Sequence, residues 1–130
     1  MSDMTYNTKR GAVVLWMLID FYVTESGKCP VEEFIGSLEP KMQAKVLRTI
    51  DLLEANGTDL REPYSKSVGG GIFELRIKQG SDISRVLYFF FAGNMAILTN
   101  GFMKKSQRTP PGEKELAKKY RDDYERRNSK

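Results

Sequence analysis

The stretch IFELRIKQGSDISRVLYFFFAGNMAILTNGF, Ile72 to Phe102, decides the fold. Its first part, Ile72 to Lys78, alternates, with Phe73, Leu75 and Ile77 on one side and Glu74, Arg76 and Lys78 on the other. That period of two is the mark of an antiparallel strand with one buried face. After a turn at Gln79 to Asp82, the segment Ile83 to Ala92 is apolar on both faces except for Ser84, Arg85 and Tyr88, which suits a central strand. Gly93-Asn94 then turns the chain into a third strand, Met95 to Phe102. Three strands in succession, joined by short turns, make a meander.

Upstream, Met42, Val46, Leu47, Ile50 and Leu53 recur at helical spacing between Pro40 and Ala55, and Asn56-Gly57 is a stop signal. Pro30 suits the first turn of a shorter helix, with Glu32 and Glu33 at its positive end and Phe34, Ile35 and Leu38 turned inward. The two make a helical hairpin. Before it, Met17 to Val23 reads as a buried strand closed by Glu25-Ser26-Gly27. Thr58 to Gly71 holds Pro63 and the triplet Gly69 to Gly71 and reads as a connection; its glycines lack the GxxxxGK[ST] pattern of a phosphate loop. Downstream, polar Lys104 to Gly112 leads through Pro110-Pro111 into a helix, Glu113 to Arg127, whose apolar stripe is only Leu116, Ala117, Tyr120 and Tyr124. Such a helix is expected to pack lightly or to dock on a partner. The expected fold is α+β: an N-terminal strand, a helical hairpin, a three-stranded antiparallel meander joining one sheet, and a C-terminal helix. Residues 17–130 form one domain; residues 1–16 are set apart as a flexible extension, since Met17 could itself be an initiator.

The 130 residues suffice for a single core. Histidine is absent from them. That excludes Ser-His and Cys-His nucleophile pairs and His-ligated metal sites, so any chemistry falls to Lys, Arg, Tyr and carboxylates. No metal-ligand spacing and no cofactor motif is present. Cys29 stands alone, which rules out a disulfide within the chain and points to the reducing cytoplasm. The apolar run Ala12 to Val23 contains Asp20 and falls short of the roughly 18 residues of a membrane span. No small-residue cleavage site follows it, so it is not expected to be a secretory leader.

The net charge of +4 is unevenly placed. Lys104 to Lys130 carries ten basic and five acidic residues, so the whole excess lies in the last fifth of the chain. An anionic partner is implied, nucleic acid first. Cations also project from neighbouring strands: Arg76 and Lys78 from one, Arg85 from the next, Lys104 and Lys105 after the third. Adjacent strands lie about 4.8 Å apart, so these side chains can converge on one phosphate-sized patch. The plain alternative is a set of surface cations paired with Glu74, Asp82 and helix carboxylates. Arg85 stands out, because a guanidinium in so apolar a strand must meet a carboxylate or face a site. Tyr88, Trp16 and Phe89 to Phe91 are expected in the core.

Together, FYVTESGKCPVEEFIGSL (21–38), LREPYSKSVGGGIFELRIK (60–78), SRVLYFF (84–90) and GFMKKSQRTP (101–110) resemble the RelE/HigB-like toxins of bacterial toxin-antitoxin systems, in their phage-derived branch. The resemblance runs from about Met17 to Arg127 in consistent order. It implies the same fold and a ribosome-dependent endonuclease that cuts mRNA without a metal or cofactor. In that reaction the ribose 2′-hydroxyl attacks the adjacent phosphate, and the enzyme stabilises the resulting dianion and protonates the leaving oxygen. By position, Arg76 and Arg85 would neutralise the phosphate, and Lys104 or Lys105 would supply the remaining catalytic cation. Lys78 would orient the RNA backbone, with Arg108, Lys114 and Lys118 as further RNA-binding residues. Crowding of cations is expected to lower a lysine pKa, which would let it act as a base.

Two positions depart from the pattern. Asn100 stands where relatives in this branch often carry His, and Glu74 where the RelE branch has a further strand Lys. The resemblance also implies a small helix-turn-helix antitoxin. Two other readings remain open: a ParE-like, non-catalytic gyrase inhibitor, and an inactive prophage-derived binding protein.

Overall fold

The structure, a computed structural model, describes residues 6–9, 12–15, 17–104 and 109–129, the first two segments as backbone only. Strands β1 (Tyr6–Lys9) and β2 (Ala12–Leu15) pair antiparallel with each other in a small sheet of their own. There follow β3 (Leu18–Phe21), α1 (Pro30–Gly36), α2 (Pro40–Asn56), β4 (Ser65–Gly69), β5 (Ile72–Gln79), β6 (Asp82–Phe91), β7 (Met95–Met103) and α3 (Pro111–Asn128). The five later strands form one sheet in the order β3-β7-β6-β5-β4, antiparallel throughout except that β3 runs parallel to β7. Trp16 lies outside the described residues. No helix among them is long and apolar enough to cross a membrane.

Strand β4 is a correction to the sequence reading, which had Thr58 to Gly71 as a connection. Its sequence SKSVG has neither alternation nor bulk, and it forms because β5 offers a free edge. At the β4–β5 turn Gly69, Gly70 and Gly71 all adopt positive φ, a conformation that L side chains resist, which accounts for three glycines in a row.

The helical hairpin covers one face of the sheet. Met42, Val46, Ile50 and Leu53 of α2 recur on one stripe and bury against Leu75, Ile77, Val86, Tyr88 and Leu98. Each such side chain contributes about 1.5–3 kcal/mol of burial. Helix α1 lies over β7, and a Cβ on Gly101 would run into the Phe34 ring, so the close approach requires glycine there. The second core fills the other face, where Ala117 and Tyr124 of α3 pack with Ile72, Leu87, Phe89, Ile97 and Phe102. The thin stripe of α3 is therefore used within the chain. Tyr22 stacks on Tyr120 at 4.5 Å and donates to Asp123 at 2.6 Å, and Tyr124 donates to Asp20 at 3.0 Å, which ties the end of α3 to β3 and the segment after it. Tyr88 is buried as expected, its hydroxyl paired with that of Ser65.

Candidate functional site

The β5–β6 register sets Arg76 directly opposite Arg85. Glu74, two residues from Arg76, shares that face, as does Asn100, because both stand opposite Leu87. All four side chains thus lie on the α3 side of the sheet, near the point where α3 begins.

Glu74 occupies the centre of the group. Its carboxylate lies 3.5 Å from Arg76 Nε through one oxygen and 3.5 Å from Arg85 Nε through the other. Thr109 donates a hydrogen bond of 2.9 Å to the oxygen that faces Arg85. Glu74 is only 3% exposed and Arg85 5%. Alternation alone placed Glu74 on a solvated face; it is buried because α3 and the segment leading to it cover that face. The side chain of Arg76 remains 29% exposed.

The Glu74–Arg85 pair is an ion pair without a hydrogen bond. At 3.5 Å the charges attract, yet the geometry leaves Arg85 Nε buried with no hydrogen-bond partner. The terminal nitrogen Nη1 of Arg85 donates to the Ser84 carbonyl at 3.2 Å. Asn100 is held through its amide nitrogen, which donates to the Glu113 carbonyl at 3.2 Å and to the Glu113 carboxylate at 3.0 Å, while its Oδ1 is buried and unbonded. Among the described residues, Arg85 Nε and Asn100 Oδ1 are the buried side-chain polar atoms without a partner. Both belong to this group. Orphaned buried polar atoms are rare in folded proteins, which singles out this group.

Lys104 enters the same field, its backbone nitrogen bonded to Ile83 O at 2.8 Å. Burial holds its pKa below the ordinary lysine value, and the Arg85, Arg76 and Lys66 charges push the same way against an opposing pull from Glu74. The lowered lysine expected from cation crowding is present, although burial is its first cause. Burial also lowers the pKa of Arg85.

The remaining sequence candidates fall elsewhere. Lys78 is exposed and lines, with Arg76, Lys45 and Thr49, a hollow of about 190 Å³. Lys114 and Lys118 lie over Gly69 and Gly70, and Arg121 donates to the Gly70 carbonyl, so these cations follow the β4–β5 turn and do not join Glu74. Lys105 and Arg108 lie outside the described residues. Thr109 and Glu113 were not anticipated, since nothing in a polar, proline-rich connection indicates which side chain turns back onto the sheet. Among the described residues no cluster of His, Cys, Asp or Glu is placed to hold a metal ion.

Arg76, Arg85 and Lys104 around the Glu74 carboxylate leave a net positive charge, with Arg76 and Lys104 partly exposed to solvent. The fold is α+β, and one face of its sheet gathers Arg76 and Arg85 around Glu74. The chain belongs to the phage-derived Gp49-like proteins (DUF891), whose family profile matches residues 33–122, a family associated with the toxins of toxin-antitoxin pairs. The matched span includes Glu74, Arg76, Arg85 and Lys104. No curated protein matches the chain.

Proposed function

We propose that this protein is a RelE/HigB-like toxin, a ribosome-dependent endonuclease that cleaves mRNA by attack of the 2′-hydroxyl on the adjacent phosphate. The observation that carries the reading is the buried, incompletely bonded cation group, with Arg85 Nε and Asn100 Oδ1 both lacking partners beside an exposed Arg76. The scissile phosphate enters from the Arg76 side and competes with the Glu74 carboxylate for the two guanidiniums. Exchange of one anion for another leaves their charge satisfied before and after binding. As the phosphate becomes a dianionic phosphorane, Arg76 and Arg85 stabilise the added charge. Lys104, its pKa held below the ordinary lysine value, accepts the 2′-hydroxyl proton and, once protonated, returns it to the departing 5′-oxygen as the P–O5′ bond breaks. Asn100, bonded to Glu113, orients the start of α3 and carries no proton itself. The charge stabilisation is assigned to arginine and lysine, with no cofactor.

Lys78, beside Arg76, and Lys114 and Lys118, along α3, extend the basic surface for the flanking RNA, with Lys105 and Arg108 in the segment between. The protein would act in the cytoplasm, where a helix-turn-helix antitoxin would hold it inactive. The test is expression without an antitoxin. Growth should stop and transcripts should be cut within codons, and Arg76→Ala should restore both growth and intact mRNA. Arrest with intact transcripts and induced DNA-damage signalling would assign the protein to gyrase inhibition instead. Absence of any phenotype would leave it a binding protein.

A further inference from the structure

A second concavity lies on the opposite face, under the sheet edge formed by β4. It has a volume of about 310 Å³. Its floor is Leu60, Phe73, Tyr88 and Phe90, and its rim carries Arg61, Lys66 and the carboxylate Glu62. The three rings form an aromatic cluster in which Phe73 and Phe90 are partly exposed and Tyr88 is buried. Phe73 and Tyr88 stack at 5.5 Å with 25° between planes, and Phe90 meets each of them edge-on. The Ser65 hydroxyl holds the Tyr88 hydroxyl. Phe73 and Phe90 keep part of their surface exposed, an apolar area that the helical hairpin leaves uncovered.

The rim is basic and loosely held. Lys66 reaches Glu62 only at 3.9 Å, with both side chains more than half exposed, and Arg61 donates to the Thr58 carbonyl at 2.9 Å. An aromatic floor below two cations and one carboxylate, with one positive charge in excess, suits a planar ring that carries an anionic group. In the β4–β5 register Lys66 stands opposite Glu74, and its charge contributes to the lowered pKa of Lys104. Because β4 is the edge of the sheet, a strand of polyanion bound at Arg76 can pass around it by way of Lys66 and reach the cavity.

We propose that this cavity is a nucleobase pocket, which takes a base of single-stranded RNA against the exposed surfaces of Phe73 and Phe90, held in place by the buried Tyr88, while Arg61 and Lys66 hold the neighbouring phosphate. The choice of occupant rests on the RNA-directed reading above and deepens it, since the pocket would set which base is preferred near the cut. Stacking on aromatic rings supplies the affinity, and the enclosed shape supplies the discrimination.

The experiment titrates the four 5′-mononucleotides, AMP, GMP, CMP and UMP, into the full chain and follows the ring-proton resonances of Phe73, Tyr88 and Phe90. At least one nucleotide should give saturable shifts, with a difference in affinity among the four. Ser67 is exposed, lines the cavity and pairs across from Phe73, so Ser67→Trp should fill the space and abolish the shifts without removing a buried group. Arg61→Ala, which leaves the floor intact, should weaken nucleotide binding by about tenfold, the value of one charge-assisted contact. The proposal is overturned by a folded protein that shows no saturable ring shifts with any nucleotide, or by shifts that survive Ser67→Trp. It is equally overturned if a short peptide of Phe and Asp saturates the rings and the nucleotides do not, which would make the cavity a protein-docking site. Cleavage is scored separately with ribosomes. Nucleotide binding without cleavage supports the pocket and removes the endonuclease reading, whereas cleavage without nucleotide shifts removes the pocket alone.

Discussion

Glu74 and Arg85 face each other at 3.5 Å from neighbouring strands, both almost wholly buried, and no hydrogen bond joins them. Two opposite charges removed from water stabilise a fold only when bonds replace most of the lost hydration. Thr109 supplies one such bond to the carboxylate and the Ser84 carbonyl one to the guanidinium. The pair therefore holds two charges in place with fewer hydrogen bonds than full burial calls for.

Glu74→Gln should expose that balance. Loss of the carboxylate charge leaves Arg85 buried without a counter-ion, at a cost of about 3–5 kcal/mol. Inorganic phosphate should recover part of the loss by taking the place of the carboxylate, and the recovery should grow with its concentration. Thermal unfolding of wild type and variant across a phosphate series checks this. A variant whose melting temperature is no more responsive to phosphate than wild type would show that anions do not reach Arg85.

The apolar stripe of α2 holds the helical hairpin to the sheet by packing, so variants in it should affect stability and leave the basic surface unchanged. Leu53 is fully buried at the end of the α2 stripe. Leu53→Ala should cost about 2–5 kcal/mol, measured by denaturant unfolding.

The meander and both helices of the hairpin were legible because their apolar positions recur at periods of two and 3.6. Strand β4 was not, since a short polar edge strand takes its conformation from β5 and carries no pattern of its own. The parallel pairing of β3 with β7 was also hidden, because a four-residue strand does not name its neighbour. Helix α3 was expected to pack lightly, yet the sequence held the contrary sign: Ile83 to Ala92 is apolar on both faces, so a second layer had to cover the sheet. That same cover explains Glu74. Period-two reading put Glu74, Arg76 and Lys78 on one solvated side; of the cations expected to converge there, Arg76 and Arg85 meet at Glu74, Lys78 lies elsewhere and Lys105 is outside the described residues. Only Lys78, at the strand end beyond α3, is fully exposed, whereas Glu74 is sealed in with Arg85. Which carboxylate a buried arginine meets depends on the register between strands, and a single sequence does not contain that register.

The attachment of α3 should fail at alkaline pH. Burial first, and then the hydrogen bond to Asp123, push the Tyr22 phenol up from 10.0 to about 12. The folded state keeps this proton where the unfolded chain loses it, so the stabilisation is complete below pH 10 and is lost as pH rises toward about 12. Tyr22→Phe should flatten this limb of the stability curve, as followed by circular dichroism of the full chain between pH 9 and about 12.

Lys104 should impose the opposite slope. Its folded-state pKa lies below 10.5, so the unfolded chain binds the proton more tightly than the folded one. Stability contributed by this group therefore rises as pH climbs from the lowered value to 10.5 and is constant above it. Lys104→Met should remove the rise. If Lys104 is also the base, the cleavage rate should increase with pH up to the same lowered value, because only the neutral amine accepts a proton. Lys104→Arg keeps the positive charge and a group too basic to titrate in this range. It should bind RNA as wild type does, cleave at least a hundredfold more slowly, as expected for loss of a general base, and show no pH midpoint below 10.5. Ribosome-programmed cleavage assays across pH measure all three quantities. A Lys104→Arg variant with an unchanged rate and midpoint would transfer the proton to another group and leave Lys104 as one more phosphate-binding cation.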